Sequence, residues 1–285
     1  MPNPLLSLAS YTARMFPAPL RRAFYRLGPV TRLIRRSLNR AAPTGLSEVS
    51  IAAGTLAGSP MLLDMQTEKD YWLGNYEINL ENAIRDWVKP GMLVYDVGAN
   101  IGYVTLLFHQ TIGQNGQIFA FEALPANVER LKTNLHLNKL DAHVKVFHAA
   151  VVNTPASVPF HVHASNGMGK AAGSAGRKEH YLEELLVPGT SLDHFVYDLG
   201  NPPPDLIKMD IEGGEILALP GMQRLLDEVH PLIFLELHGE NAARTAWDIL
   251  TQAGYTLYRM CTGYPPIHKR DDLEWKEYIV ARVAS

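Results

Sequence analysis

The chain has 285 residues, a length that fits one large α/β domain with an N-terminal extension or two small domains. Its hydrophobic fraction of 47% is sufficient for a core. Its single cysteine, Cys261, excludes an internal disulfide framework and a cysteine-based zinc site, and we expect this side chain to be buried. The net charge of -3 is unevenly distributed, because residues 1–47 hold eight of the 26 basic residues and no acid, which leaves 18 basic against 29 acidic residues in the remainder.

Residues 1–47 are predicted to form a basic helical arm. Apolar residues recur at helical spacing on either side of Gly28-Pro29, and the arginines lie mostly on the other face. Such a segment is typical of contact with an anionic membrane surface or with nucleic acid. Two solvated helices that pack on the domain or on a partner are an equally good interpretation, and a mitochondrial transit peptide ranks third. The Ala-, Gly-, Ser-, Thr- and Pro-rich stretch that follows predicts a linker over residues 48–69.

The sequence also makes a prediction about location. No apolar run is long enough to span a bilayer, and no secretory signal pattern opens the chain. One cysteine agrees with a reducing compartment. We therefore expect a cytoplasmic protein that contacts a membrane only peripherally, through the basic arm.

The main domain is predicted to extend from residue 70 to residue 285. Apolar residues at helical spacing predict a helix from Asp70 to Trp87, which ends before the Pro90-Gly91 pair. Within this stretch Glu77 is the polar exception, and its carboxylate is a candidate partner for the ammonium group of a bound amino acid moiety.

The stretch LVYDVGANIGYVTLL, residues 93–107, predicts a buried strand that ends on Asp96, a turn framed by Gly98 and Gly102, and an amphipathic helix. This order is typical of a nucleotide-sized ligand site in an α/β protein. The glycines allow a tight turn and a close approach of the backbone to a ligand. The spacing Asp-x-Gly-x-x-x-Gly differs from the dinucleotide pattern, and a tight turn without a ligand stays open from this stretch alone.

The second strand, residues 117–121, ends on Glu122, about twenty residues after the glycine turn. Its carboxylate is thereby placed to accept hydrogen bonds from ribose hydroxyl groups. A helix over residues 125–137 and a third strand over residues 144–147 follow. This strand leads to Ala149, where a small side chain leaves room for a flat adenine ring.

Residues 151–190 depart from the alternation of strands and helices. Residues 157–163 alternate like an exposed edge strand, and a Gly-, Ala- and Ser-rich loop over residues 164–176 is predicted to be a lid or a substrate loop. The spacing of the histidines in this region does not predict a metal site; they are His161, His163 and His180.

The stretch DLIKMDIEGGEIL, residues 205–217, predicts a strand that ends near Asp210 and a helix that begins after Gly213-Gly214. Lys208 and Asp210 share a face of this strand, so each offsets part of the desolvation of the other. Polar side chains in such a place usually belong to a functional site. The helix dipole accounts for the acid at the helix start, Glu215, but not for the polar pair on the strand.

The fifth strand, residues 231–237, carries Glu236 and His238 at its carboxyl end, and a helix over residues 241–253 follows. Strands over residues 255–260 and 277–283 have no helix between them, which predicts an antiparallel hairpin at the end of a parallel sheet. Ligands of such sheets bind outside the carboxyl ends of the strands. The polar residues predicted at this edge are Asp96, Glu122, Asp210, Glu236 and His238.

With these stretches, the chain resembles the FkbM family of S-adenosylmethionine-dependent methyltransferases. The matching pieces, in order, are DVGANIGYVTLL (96–107), FEALPANVERLKTNLHLN (121–138), TSLD (190–193), KMDIEGGE (208–215) and LELHG (235–239). One departure is Ala123-Leu124, where the family more often has Pro-Asn, but Glu122 is retained. The resemblance implies a class I methyltransferase fold, which is Rossmann-like, with a mostly parallel seven-stranded sheet, helices on both faces and a C-terminal antiparallel hairpin.

The resemblance implies S-adenosylmethionine as cofactor and a hydroxyl group of a small molecule or glycan, such as a sugar, polyketide or glycolipid, as acceptor. Glu122 would bind the ribose, Ala149 would lie beside the adenine, and Asp210 would face the sulfonium side. The first motif would hold the methionine end through Asp96, Gly98, Ala99, Asn100, Gly102, Tyr103 and Thr105.

Methyl transfer requires alignment of the acceptor oxygen and removal of its proton. We expect His238 to be the general base, because the pKa of free histidine lies near neutrality. Glu212 and Glu236 are the alternatives, and Asp210 and Lys208 complete the catalytic candidates. A divalent cation on Asp210, Glu236 and His238 is the less favoured interpretation, since no spacing here is diagnostic of a metal.

Three other classes of function are weighed against this one. A nicotinamide-dependent oxidoreductase is disfavoured by the absent third glycine. An RNA methyltransferase would use the arginine-rich arm, but the rest of the chain is acidic, so nucleic acid is not an expected partner. A non-catalytic S-adenosylmethionine-binding protein is the third alternative.

Overall fold

The computed structural model of the chain describes residues 44–163, 169–175, 181–276 and 278–283, so the predicted arm lies almost wholly outside the described residues. The described residues belong to two compact units. Unit one comprises residues 44–78 and 133–139, and unit two comprises residues 79–132 and 140–283. Within the described ranges, no helix is both long enough and apolar enough to cross a membrane.

Unit one contains an antiparallel hairpin where the sequence predicts a linker. Strand β1 (Leu46–Ser50) pairs with β2 (Pro60–Asp64), with Leu46 opposite Asp64. Met61 and Leu63 are fully buried, and the backbone N–H of Leu62 donates to the side chain of Asn134 at 2.6 Å. The prediction of a linker over residues 48–69 is therefore wrong, because the glycines of this stretch make turns within a folded unit.

The single helix predicted from Asp70 to Trp87 is also wrong, because the chain forms two helices, α1 (Lys69–Trp72) and α2 (Ile78–Trp87). Gly74 separates them with a φ of 62°, and a Cβ at this position would lie 2.0 Å from the carbonyl oxygen of Ala53. A close backbone contact with positive φ requires glycine and interrupts a helix.

The remaining strands are, in chain order, β3 (Leu93–Val97), β4 (Gln117–Glu122), β5 (Val144–His148), β6 (Ala150–Val151), β7 (Ser157–His163), β8 (Gly169–Ala171), β9 (Tyr181–Thr190), β10 (Leu206–Met209), β11 (Leu232–Glu236), β12 (Tyr255–Arg259) and β13 (Tyr278–Val283). The remaining helices are α3 (Tyr103–Ile112), α4 (Pro125–Leu137), α5 (Glu215–Ala218), α6 (Gln223–Glu228) and α7 (Glu240–Gln252). A π-helical turn covers His194–Asp198, and two 3₁₀ turns cover Leu219–Met222 and Arg270–Asp272.

Unit two is organised around a seven-stranded sheet with the order β12-β13-β11-β10-β3-β4-β5. The five strands β11, β10, β3, β4 and β5 are parallel to one another. Strand β13 runs antiparallel to both of its neighbours, β11 and β12. This confirms the predicted mostly parallel sheet with a C-terminal antiparallel hairpin. The switch in strand order between β3 and β10 brings the carboxyl ends of these two strands side by side, and such a crevice is where ligands bind in open α/β sheets.

A second, four-stranded sheet with the order β6-β9-β7-β8 is inserted between β5 and β10. It has its own small core, which includes Phe160, Ala171 and Val187. The loop predicted over residues 164–176 is therefore partly wrong, because β8 lies within it and pairs antiparallel with β7, while residues 164–168 and 176 lie outside the described residues. A strand of three residues is too short to show alternation, and burial of Ala171 opposite Phe160 is visible only in three dimensions.

Aromatic rings form the centre of the core of unit two. Tyr95 stacks on Phe119 with ring centroids 5.4 Å apart, and Phe195 meets both rings edge-on. The hydroxyl of Tyr95 donates to the carbonyl oxygen of Pro202 at 2.6 Å, and burial raises its pKa well above the ordinary value. Cys261 lies in the turn after β12 and is exposed, so its predicted burial is wrong.

Gly98, directly after β3, is required by packing. Its φ is 78°, and a Cβ at this position would lie 1.9 Å from the carbonyl oxygen of Asp210, which follows β10. The turn after β3 and the end of β10 therefore touch through their backbones, and no other residue type fits between them.

We predict that Gly98→Ala destabilises the protein more than Gly254→Ala does. Both glycines have positive φ, 78° and 82°, but a Cβ on Gly254 would meet no atom within 4 Å. The left-handed backbone costs each alanine about 1–2 kcal/mol, and the steric overlap at position 98 adds about 1–3 kcal/mol. Urea unfolding of both variants measures the difference, and equal losses of stability would contradict the packing role of Gly98.

Candidate active site

The turn between β3 and α3 is tied to the end of the neighbouring strand β4. The backbone N–H groups of Gly98 and Ala99 both donate to the carbonyl oxygen of Phe121, at 2.9 and 3.0 Å. Asn100 and Gly102 have φ angles of 50° and 92°, so the turn contains a left-handed residue that is not glycine. Such conformations are sparsely populated and concentrate at functional sites.

Glu122 lies at the end of β4, and its carboxylate connects the turn after β3 with the turn after β4. Its Oε2 accepts the N–H of Asn100 at 2.8 Å, and its Oε1 accepts the N–H of Leu124 at 2.8 Å. Burial raises the pKa of this carboxyl group, although the two backbone hydrogen bonds act in the opposite direction. The Asn127 side chain is a third donor to this carboxylate, which leaves about one of its four acceptor positions for a hydroxyl group of a ribose.

The buried network beside this turn pairs Asp96 with Lys208. The Lys208 Nζ lies 3.2 Å from Asp96 Oδ1 and donates to the carbonyl oxygen of Gly98 at 2.8 Å, while the hydroxyl of Thr105 donates to Asp96 Oδ2 at 2.7 Å. Burial alone would lower the pKa of the Lys208 ammonium, but the neighbouring carboxylates, above all that of Asp96, raise it above its ordinary value.

This network corrects one prediction. Lys208 makes its ion pair with Asp96, whereas the sequence suggested Asp210, and at 3% exposure it is a positioning residue. Asp96 and Thr105, predicted to hold the methionine end of the cofactor, are both fully buried and joined by a hydrogen bond that supports the turn. Their contact with the cofactor stays a prediction.

The other predicted cofactor residues are distributed around the same turn. Ala99, Gly102 and Tyr103 are buried, whereas Gly98, Asn100 and Ala149 are partly exposed. The N–H of Ala149 donates to the carbonyl oxygen of Glu122 at 3.1 Å, which fixes the end of β5 beside the end of β4. Glu77 belongs to unit one, has a φ of 47°, and its predicted contact with a ligand stays a prediction.

A cluster of four carboxylates surrounds His238, which follows β11; we call it the acidic cluster. The His238 Nδ1 lies 3.2 Å from Glu215 Oε1. On the other side of the ring, Nε2 faces three carboxylates, at 3.5 Å from Glu236 Oε1 and at 3.8 Å from both Asp210 Oδ1 and Glu212 Oε2. The predicted catalytic residues other than Lys208 are therefore brought together.

The acidic cluster changes the expected role of His238. Burial alone would lower the pKa of this imidazole, but the hydrogen bond to Glu215 and the charges of the surrounding carboxylates raise it to about 9. A general base must be unprotonated at the operating pH. As these side chains stand, His238 carries a proton at neutral pH, so the structure does not support the prediction that it is the resting base.

The sequence analysis missed the functional contacts of one member of the acidic cluster, Glu215, and of one residue that contacts the cluster, Tyr278. Glu215 was explained by the helix dipole, but it is fully buried and also accepts the N–H groups of Ile211 and Gly213, each at 3.3 Å. Tyr278, on β13, donates from its hydroxyl to Glu236 Oε2. A buried acid at a helix start was the available signal for Glu215, whereas nothing in the sequence pointed to Tyr278.

The glycine turn and the acidic cluster meet where β3 and β10 lie side by side. The N–H of Asp210 donates to the carbonyl oxygen of Val97 at 3.1 Å, so the acidic cluster begins directly beside the turn. Glu212 lies in the next turn with a φ of 53°. The inserted sheet reaches the same place, because the N–H of Ala175 donates to the carbonyl oxygen of Gly213 at 2.9 Å.

A family model described as "Methyltransferase FkbM domain" matches residues 96–257, more than half of the chain. The matched range contains the glycine turn, Glu122 and the acidic cluster. It confirms the family and the methyltransferase fold expected from the sequence, and S-adenosylmethionine is the cofactor that this assignment supports.

The chain is similar to carboxy-S-adenosyl-L-methionine synthase from Vibrio campbellii, with 38% identity over 68 residues, which is 24% of this chain and 28% of that protein. It is also similar to the crystal structure of methyltransferase FkbM from Methylobacillus flagellatus, with 16% identity, a TM-score of 0.45, and coverage of 76% of this chain and 54% of that chain. A precorrin-6y C5,15-methyltransferase from Geobacter metallireducens matches with 17% identity, a TM-score of 0.44, and coverage of 73% and 87%. The chain thus spans 28% of the curated relative and about half of the first of these two structures.

We predict that Lys208→Met lowers the free energy of unfolding by about 3–5 kcal/mol, because it leaves Asp96 buried without its cationic partner. Lys132→Met is the matched control, since Lys132 is exposed and forms a surface pair with Glu129 at 3.3 Å, and a change within about 0.5 kcal/mol is expected. Urea unfolding measures both.

The double variant Asp96→Asn/Lys208→Met tests the cause of this loss. Because it removes both buried charges, we expect it to regain part of the stability lost in Lys208→Met. If the double variant is less stable than Lys208→Met by the full cost of a second core substitution, the ion pair is not the source of the effect.

Proposed function

Because the chain belongs to the FkbM methyltransferase family, we propose that it transfers the methyl group of S-adenosylmethionine to a hydroxyl group of a small molecule or glycan. The observation that carries this proposal is the position of the acidic cluster directly beside the glycine turn, through the contact between Asp210 and Val97. The site for the methyl donor and the site that accepts the proton then lie in one crevice.

The cofactor side of this crevice is built from the glycine turn and Glu122. When bound, S-adenosylmethionine supplies an electrophilic methyl group on a good leaving group. Glu122 would hold a ribose hydroxyl with its remaining acceptor position, since two backbone N–H groups and the Asn127 side chain already fix its carboxylate. The exposed part of the turn, Gly98 and Asn100, would face the amino acid end.

The acceptor side is built from the acidic cluster. A hydroxyl group must lose its proton as the new bond forms, so a proton acceptor is needed within hydrogen-bond reach. We propose Glu212 for this task, because its side chain is 33% exposed, compared with 24% for Glu236 and 20% for Asp210. Its strained φ of 53° holds the carboxylate at the edge of the cluster.

The charge of the site argues for an uncharged acceptor. Residues 48–285 hold 29 acidic and 18 basic residues, and four carboxylates concentrate around His238. A phosphodiester backbone such as that of RNA requires cationic side chains along its path. Any contact of the arm with nucleic acid or a membrane, and a cytoplasmic location, stay predictions, since residues 1–43 lie outside the described part of the chain.

We predict that Glu122→Ala weakens S-adenosylmethionine binding by about ten- to a hundredfold, because hydrogen bonds to a charged group are worth about 1.5–3 kcal/mol. Glu129→Ala is the matched control, because Glu129 is exposed on α4 and pairs with Lys132 in a surface contact. Isothermal titration calorimetry on the full chain measures both. Equal affinities of the two variants would remove Glu122 from the cofactor site.

We predict that the full chain transfers labelled methyl groups from S-adenosylmethionine to hydroxyl-bearing glycans, lipids or polyketides and not to RNA. The assay is incubation with methyl-labelled S-adenosylmethionine and a panel of these acceptors, followed by separation of the products. With the responding acceptor, Glu212→Gln should lower the turnover number by about 10²–10⁴-fold and leave the affinity for S-adenosylmethionine unchanged. Labelling of RNA alone, or binding without any transfer, would reject the proposal.

A further inference from the structure

We propose that Lys170, on β8 of the inserted sheet, is a positioning residue for the turn that carries Glu212. This inference rests on the proposed function, because Glu212 is the residue to which that function assigns the proton of the acceptor. It goes beyond that function by giving a task to a residue that lies outside both the glycine turn and the acidic cluster.

Two hydrogen bonds lead from Lys170 to this turn. The Nζ of Lys170 donates to the carbonyl oxygen of Ala175 at 3.2 Å. The N–H of Ala175 donates in turn to the carbonyl oxygen of Gly213 at 2.9 Å. Gly213 directly follows Glu212, whose φ of 53° is left-handed. A single residue, Ala175, thus joins the ammonium group to the turn of the proposed base.

The segment between Lys170 and Ala175 is a tight turn with its own hydrogen bonds. The N–H of Ala172 donates to the carbonyl oxygen of Pro159 at 2.7 Å, and the N–H of Ser174 donates to that of Ala171 at 3.1 Å. These bonds hold the beginning of the segment on β7. The bond from Lys170 holds its end, at the residue that contacts Gly213.

Lys170 occupies a place where a charged side chain is costly. Its side chain is 7% exposed, and burial of an ammonium group is tolerated where polar groups compensate for the lost water. The strand around it is fixed, because Ala171 is buried opposite Phe160 and a Cβ on Gly169 would lie 2.3 Å from the Phe160 ring. The reach of the Lys170 side chain toward Ala175 is therefore set by the packing of β8.

The Glu212 turn is held from a second side by the acidic cluster. The N–H of Gly213 donates to Glu215 Oε1 at 3.3 Å, and the same oxygen lies 3.2 Å from His238 Nδ1. Gly213 is thus bonded to the acidic cluster through its N–H and to the inserted sheet through its carbonyl oxygen. A residue other than glycine keeps a left-handed φ where its surroundings fix it, so both bonds support the conformation of Glu212.

The core of the inserted sheet extends to both sides of the crevice. It contains Leu124, whose N–H binds the carboxylate of Glu122, and Leu217 of α5 packs against it. Ala171, next to Lys170, belongs to the same core. The sheet that carries Lys170 is therefore packed against the cofactor side and the acceptor side, so it sets the position of the base relative to the methyl donor.

The first test is hydrogen exchange of backbone amides in the full chain without ligand, followed by mass spectrometry of peptides that contain Ala175. In Lys170→Met we expect this amide to exchange faster by about tenfold or more, because its hydrogen bond to Gly213 opens more often. Lys89→Met is the matched control, since Lys89 is exposed and precedes β3, at the opposite edge of the main sheet. Unchanged exchange of Ala175 in Lys170→Met would overturn the inference.

The second test measures methyl transfer to the acceptor that responds in the panel of glycans, lipids and polyketides. We expect Lys170→Met to lower the turnover number by about ten- to a hundredfold, because a small misplacement of a reacting group has an effect of this size. Its KM and calorimetric affinity for S-adenosylmethionine should not change. Lys170→Arg retains the charge and a donor and should recover most of the turnover number, whereas equal turnover numbers of Lys170→Met and Lys89→Met would contradict the positioning role.

The double variant Lys170→Met/Glu212→Gln distinguishes positioning from a general loss of structure. If Lys170 acts through Glu212, the double variant turns over as slowly as Glu212→Gln alone, because the contribution of the base is lost only once. Two losses that multiply would show that Lys170 acts independently of Glu212, and the inference would then be wrong.

Thermal unfolding of each variant checks that it is folded. If Lys170→Met does not fold, Ala175→Pro replaces it in every measurement of turnover, since proline lacks the N–H that binds Gly213 while Lys170 is retained. A turnover number of Ala175→Pro equal to that of the unmodified protein would also overturn the inference.

The outcomes for this inference and for the proposed function are separate. If the chain neither binds S-adenosylmethionine nor methylates any acceptor of the panel, the function is wrong, and hydrogen exchange at Ala175 still decides whether Lys170 holds the turn. If methyl transfer depends on Glu212 but Lys170→Met behaves as Lys89→Met does, the positioning role is wrong and the function stands.

Discussion

The buried ion pair between Lys208 and Asp96 is the interaction on which both halves of the crevice depend. The two residues lie opposite each other on β10 and β3, and the same ammonium group donates to the carbonyl oxygen of Gly98. Two charges in the middle of a parallel sheet are costly to bury and rarely add stability over an apolar pair. Their effect is instead to fix position, because the glycine turn after β3 and the acidic end of β10 are held by one side chain.

The concentration of negative charge around His238 follows from this arrangement. Parallel strands present their carboxyl ends at one edge, so acids that follow β10 and β11 meet there. Like charges at such distances oppose folding, and His238 and Lys208 offset part of this repulsion. Clusters of this kind are typical of functional sites, which agrees with the proposed task of accepting a proton.

Local periodicity predicted most of the fold, because burial on a sheet or helix face determines which positions are apolar. The bounds of α4 and β7 agree with the prediction to the residue, and the main-sheet strands agree within about two residues.

The hairpin over residues 46–64 was missed, since glycine and serine make turns as well as linkers. The partner of Lys208 depends on which strand lies beside β10, and the environment of His238 depends on Glu215 and Tyr278. Such lateral neighbours are set by the tertiary fold and leave no local pattern.

The proposed base stands apart from the other carboxylates of the acidic cluster. Asp210 and Glu236 lie with His238 at the ends of the central strands, whereas Glu212 lies in the turn after β10 with a φ of 53°. A base needs access to the acceptor, and the Glu212 side chain, at 33%, is the most exposed of the four carboxylates. We therefore assign proton transfer to the turn, while the residues at the strand ends hold the acidic cluster in place.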